Sequence, residues 1–209
     1  MASAQSSDLV EADTIYRQHK NILDLIPVVQ NHEFSISIQP AKSLHSFSLF
    51  RRGCHERFIS FVIMGVLKAL EYIHARENRV HGNINLNTVF LDEDCEVKLE
   101  LPMKRNCEDE EQKADIRMVG GLALCLFNDE YRDKFVRDKL VLGCFYGKTR
   151  REELLTGSAV RDFAKFCLYQ SHTPTLRELI NHEFFEKFGE FDRYQVELKK
   201  LLQKKLGKK

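Results

Sequence analysis

None of the six cysteines, Cys54, Cys95, Cys107, Cys125, Cys144 and Cys167, forms a C-x-x-C pair. Neither a disulfide framework nor a common zinc spacing is read from them, and free thiols in a reducing compartment, the cytoplasm or the nucleus, are expected. The eight histidines show no H-E-x-x-H spacing, so no metal or other cofactor is expected. An apolar leader and an unbroken apolar run of membrane-spanning length are also missing, which argues against secretion and membrane insertion. The opening Met-Ala-Ser-Ala lacks the glycine of N-myristoylation, and the closing Leu-Gly-Lys-Lys is no prenylation box. An excess of one charge is absent too. With 32 basic and 31 acidic side chains the net charge is +1, which offers no broad field for phosphate neutralisation, and a nucleic-acid partner is not expected.

What remains is an ordinary globular composition, 43% hydrophobic over 209 residues, enough for one core and one domain. Two apolar runs, Ile22 to Val29 and Phe34 to Ile38, flank Gln30-Asn31-His32-Glu33. The second run alternates, so the pair reads as a β-hairpin with one buried face. Asp8 to Gln18 has the spacing of a short helix. From Phe58 to Ala75 apolar residues wrap most of a helical wheel, the pattern of a helix surrounded by protein. Short extended pieces follow at Thr88–Leu91 and Val97–Leu99, divided by the turn-forming Asp92-Glu93-Asp94. An acidic link, Glu108 to Glu111, precedes a second buried helix at Ala114–Phe127, where Gly120-Gly121 would permit close backbone approach. Helical patterns then dominate: Glu152–Leu168, Thr175–Asn181 and the basic amphipathic stretch Phe191–Leu206. Asn128 to Arg151 offers helical fragments without landmarks.

Particular residues within this order resemble the protein kinase family, chiefly its C-terminal lobe. "RVHGNINLNTVFL" aligns with the catalytic loop H-R-D-L-x-x-x-N, His81 standing at its histidine. "VFLDEDCEVKL" follows as the family's pair of short strands does. Asp115 in "ADIRMVGGLALCLF" stands where the family's central buried helix opens with an aspartate. "FAKFCLYQSHTPTLRELINHEFF" is similar to the closing pattern, and "HKNILDLIPVVQNHEFSISIQPAKSL" to the last strands and hinge of the N-terminal lobe. The resemblance spans roughly Ile15 to Phe185. It implies a mainly α (α+β) fold: a helical C-lobe at 46–188, a remnant N-lobe helix and hairpin at 1–45, and a basic helix or tail at 189–209.

The departures concern chemistry. Phosphoryl transfer needs a carboxylate to orient the substrate hydroxyl, metal ions to hold the phosphates and fixed positive charge. At the family's catalytic aspartate the chain has Asn83, whose amide is no general base at neutral pH. Asn85 stands at the lysine, Thr88 at the metal-binding asparagine, and Leu101-Pro102-Met103 at D-F-G. Only 21 residues precede Ile22, with no glycine among them, so a phosphate loop and a strand-borne lysine have no room. Thirteen residues separate Leu101 from Asp115, too few for an activation loop, an A-P-E motif and a helix. Thr173 occupies the position of the arginine that pairs with that missing glutamate. Loss of both partners is physically consistent, because removing one alone strands a buried charge at about 3–5 kcal/mol.

The expectation is thus a truncated pseudokinase acting as a scaffold or allosteric regulator of other proteins, active kinases or signalling receptors included. The competing expectation is an enzyme with a rebuilt ATP pocket that uses Asp92 or Asp115. His81 is expected to be structural, and Asp115 a structural carboxylate opening its helix. A two-stranded hairpin alone is marginal, so Leu23, Leu25, Ile36 and Ile38 are read as a surface for a partner or a second copy. The lysine-rich tail is read as a capping helix on the lobe, with contact to anionic membrane or nucleic acid as the alternative.

Overall fold

The computed structural model describes residues 19–23, 25–30, 33–38, 41–46, 54–100, 109–128, 157–169 and 173–206, and all structural statements concern these. The expected helix at Asp8–Gln18, Leu101, Glu108 and the stretch 129–150 lie outside them.

The apolar run after His55 forms α1 (Glu56–Glu77). His55 starts it in an extended conformation, its Nδ1 accepting the Arg57 N–H at 3.3 Å. Asn78 ends it in the left-handed region (φ 48°, ψ 44°) and donates its own N–H to the Ile73 carbonyl, a geometry asparagine tolerates better than most residues. Between the caps, Phe58, Ile59, Val62, Ile63, Val66, Leu67, Ala69, Leu70 and Ile73 are all buried. Against expectation, α1 is long and apolar enough to cross a membrane, but 78% of that window is buried against the rest of the lobe. It is the core helix around which the other elements pack.

The chain is mainly helical, with a small three-stranded antiparallel sheet: β3 (Ala41–Ser43), β4 (Val89–Asp92) and β5 (Val97–Leu99), in that spatial order. The hairpin forms separately as β1 (Leu25–Gln30) and β2 (Glu33–Ile38), with Leu25 opposite Ile38 and Pro27 opposite Ile36. Its first strand begins three residues later than the apolar run indicates, because Ile22 pairs in parallel with Leu99 instead. Leu23 donates its N–H to the Leu99 carbonyl, and Leu99 returns one to the Asn21 carbonyl, both at 2.8 Å. Leu23 is therefore core, 1% exposed, and is withdrawn from the expected partner surface. Strand β3 was not expected at all. Three residues, Ala-Lys-Ser, carry too little pattern to announce a strand, and it forms because β4 offers an open edge.

Among the described residues five further α-helices follow: α2 (Asp109–Phe127), α3 (Ala159–Tyr169), α4 (Leu176–Ile180), α5 (Glu183–Glu186) and α6 (Phe191–Leu206). Helix α2 begins five residues earlier than the apolar pattern. Asp109, Glu110 and Glu111, expected as a solvated link, form its first turn, where negative charge favours a helix N-terminus. Thr175 and Glu178 make a reciprocal capping box at α4. Phe163 of α3 packs against Phe184 and Phe185 of α5, with ring centroids 5.3 and 5.2 Å apart.

Two glycines set how closely these layers approach. A Cβ on Gly65 would lie 2.6 Å from the Val97 Cβ, where α1 crosses β5. One on Gly120 would lie 2.7 Å from the Cys167 Cβ, where α2 meets α3. Gly65→Ala should therefore destabilise the fold by about 1–3 kcal/mol through overpacking, read as a melting-temperature drop of roughly 2–4 °C per kcal/mol. An unchanged melting temperature would mean that the helix and sheet are not in this contact.

Candidate functional site

The segment Val80–Thr88 leaves the end of α1 and runs across the front of α2 into β4. Its shape is fixed by one carboxylate. Asp115 is fully buried; its Oδ2 accepts the His81 N–H at 2.8 Å and its Oδ1 the Gly82 N–H at 2.7 Å. Oδ2 also accepts from His74 Nε2 at 2.9 Å, in the last turn of α1. Three donors from two elements thus converge on a side chain borne by a third. Asp115 lies seven residues into α2 and does not open the helix as expected. Its role is to hold the loop, and Gly82 supplies the positive φ (72°) that lets two successive amides face it.

His81 is held at both ring nitrogens. Nδ1 accepts the Asn83 N–H at 3.2 Å and Nε2 donates to the Glu100 carbonyl at 3.0 Å, so the ring is neutral with its proton on Nε2. Burial pulls its pKa below the ordinary imidazole value; Asp115 and the Glu100 carbonyl oppose that shift and His74 adds to it.

The positions that resemblance assigns to the catalytic base, the cation and a metal ligand form a turn closed on itself. Asn85 Nδ2 donates to Asn83 Oδ1 at 2.9 Å, and Thr88 Oγ1 donates to the Asn83 carbonyl at 2.8 Å. Thr88 Oγ1 accepts the Asn85 N–H at 3.0 Å, and Asn85 Oδ1 the Asn87 N–H at 2.8 Å. These bonds use neutral groups to shape a loop. Among the described residues no cluster of three or more histidine, cysteine, aspartate or glutamate side chains could hold a metal ion.

Asp92, one of the two alternative catalytic carboxylates, has a structural position as well. Its Oδ1 accepts the Glu96 and Asp94 N–H groups at 2.8 and 3.0 Å, shaping the β4–β5 turn. Burial raises its pKa, opposed by the Glu96 N–H and by Lys98. Lys98, 5% exposed, reaches Glu96 at 3.3 Å and Asp92 at 3.6 Å. Sequence reasoning overlooked both Lys98 and His74. A signal existed for His74: at i, i+4, i+7 and i+11, Ile63, Leu67, Leu70 and His74 share one helix face, so a polar group sits on an otherwise buried stripe.

The structure thus brings His81, Asn83, Asn85 and Thr88 together on one loop, which Asp115 holds from α2. Leu25, Ile36 and Ile38 lie on β1 and β2.

No protein-family model matches the chain. It is 26% identical, over 170 residues, to "Serine/threonine-protein kinase 4 homolog B" of Dictyostelium discoideum, covering 67% of this chain and 15% of that protein. The similarity is that of a distant kinase-like relationship, and the chain spans under a sixth of the relative's length.

Asp115→Ala would leave the buried His81 N–H and the part-buried Gly82 N–H and His74 Nε2 without their acceptor and should cost about 3–5 kcal/mol. Hydrogen exchange at the His81 and Gly82 amides should rise well above the global change; equal protection in both proteins would show that the clamp is not holding the loop.

A second expectation concerns acid. His19 and His182 repeat the motif of His81, each Nδ1 accepting the N–H two residues on at 3.2 Å, and burial lowers the pKa of all three. The folded state then binds fewer protons than the unfolded chain below the ordinary histidine value, about 6.5. Stability is complete above that value and is lost as pH falls through the lowered ones. The urea midpoint should decline between pH 7.5 and 5, and His182→Asn, which keeps an acceptor two residues before Phe184, should flatten that decline. A midpoint independent of pH over this range would overturn it.

Proposed function

We propose that the chain is a catalytically inactive kinase-like module that works by binding other proteins, as a scaffold or allosteric regulator in signalling. The observation that carries this reading is the closed turn Asn83–Thr88. Where resemblance calls for a carboxylate, a cation and a metal ligand, the side chains are two amides bonded to each other and a hydroxyl bonded to the loop backbone. The relative is by name a serine/threonine kinase, and its activity belongs to that protein.

An enzyme with a rebuilt pocket would need another carboxylate. Asp115 has no exposure and three donors already on it, and Asp92 shapes a turn, which supports the inactive reading. Thermal melting with and without Mg-ATP tests it. A ligand bound only by the folded state at 100 times its dissociation constant adds about 2.7 kcal/mol; the proposal expects no shift at millimolar nucleotide. A magnesium-dependent rise of several degrees would transfer the chain to the nucleotide-binding class.

A further inference from the structure

Helix α6 has two working faces, and the lobe uses one. On the inner side Leu198 is buried and Tyr194 meets Phe61 edge-on at 5.5 Å beneath the Arg57 guanidinium, 4.6 Å from the ring centre. Gln195 donates to the Asp94 carbonyl at 3.0 Å, and Lys199 pairs with the Asp94 side chain. These contacts hold the helix against α1 and the β4–β5 turn. The basic tail is a helix docked on the lobe at least as far as Lys199.

The outer side is unlike the rest of the described surface. Val196, 54% exposed, and Leu201, 58% exposed, are the exposed large hydrophobics among the described residues, and both lie on α6. At 100° per residue they stand about 140° apart around the helix, with Lys200 and Lys204 between them. Both lysines are exposed. Arg193 is balanced by Glu190 and Glu197 at 3.3 and 3.4 Å, so the first turns are near neutral. From Leu198 to Lys209 the sequence holds six lysines and no acidic residue.

We propose that the outer face of α6, Val196, Lys200, Lys204 and Leu201, is a docking surface for an anionic lipid bilayer. Two aliphatic side chains set on either side of a lysine strip suit a flat boundary, where their tips enter the acyl region and the lysine stems reach back to the headgroups. Their wide angular separation makes no single ridge for a protein groove. Nucleic acid is disfavoured because the outward apolar residues are aliphatic, while Phe191 and Tyr194, the aromatics that could stack on bases, pack against the core. The inner contacts keep the helix folded beforehand, so binding does not require ordering it. The two apolar anchors are few, so charge carries most of the attraction. This surface goes beyond the proposed module function and does not depend on nucleotide binding.

The experiment is cosedimentation of the full chain with phosphatidylcholine vesicles, with and without phosphatidylserine, at low and high salt. Binding is expected to the serine-lipid vesicles alone and to fall away with salt. The pair Lys200→Glu and Lys204→Glu should weaken it roughly tenfold or more. The pair Val196→Ser and Leu201→Ser should weaken it at unchanged charge, with melting temperature retained in both double variants as the check on folding. No sedimentation with anionic vesicles at low salt overturns the proposal, as does binding that neither pair alters. Binding to a duplex RNA as tight as to the anionic vesicles, and unaltered by Val196→Ser and Leu201→Ser, would assign the surface to nucleic acid instead.

Discussion

A single buried carboxylate coordinates three parts of this chain. Asp115 on α2 accepts from His74 on α1 and from two consecutive backbone amides of the loop that leaves α1. A buried charge is tolerated only when its acceptor capacity is met, and here the loop supplies what is required. The dependence runs both ways: the loop has its shape because the carboxylate is there, and the carboxylate can be buried because the loop has that shape. His81 extends the same network, linking the loop to the strand end at Glu100 through a neutral ring. The loop is thus tied at its start to α2 through Asp115 and to the strand end through His81.

Much of this was legible in the residues. Helices α1, α2 and α6 follow from apolar spacing, because a long periodic pattern averages over local exceptions. The two strands around Asp92-Glu93-Asp94 follow from turn chemistry, and His81 and Asp115 from their place in a kinase-like order. Other features were not legible, for definite reasons. Strand β3 is too short to carry a period and exists only through its pairing with β4. The parallel pairing of Ile22 with Leu99 joins residues remote in sequence, and local pattern assigns Ile22 to the hairpin instead. Helix α2 starts in acidic residues that apolar counting ignores. Lys98 is buried by carboxylates, Asp92 and Glu96, which become its partners only after the turn closes.

The histidines show a further economy of design. His19, His55, His81 and His182 each accept, through Nδ1, the backbone N–H two residues ahead. At His55 and His182 this bond caps a helix; at His81 it shapes the loop. An imidazole in this role resembles asparagine or aspartate in a turn, but it adds a flat ring that packs, as His19 does on Tyr72 and His182 on Phe163. A role that sequence readers assign to metal ligands or proton shuttles is here that of a local cap.

The small sheet has a consequence for how the chain reaches its fold. Strand β3 and residues 21–23 precede α1, whereas β4 and β5 follow it, so the sheet is assembled from both sides of a 22-residue helix. The Asn21 side chain binds the Val97 carbonyl across 76 positions, and Lys199 reaches Asp94 across 105. No strand of this sheet except the β4–β5 pair can form by local search. Loop-closure entropy must be met before these distant pairings stabilise anything. The helices and the β4–β5 hairpin rest on local contacts, while the outer strand and the α6 clasp rest on pairings remote in sequence.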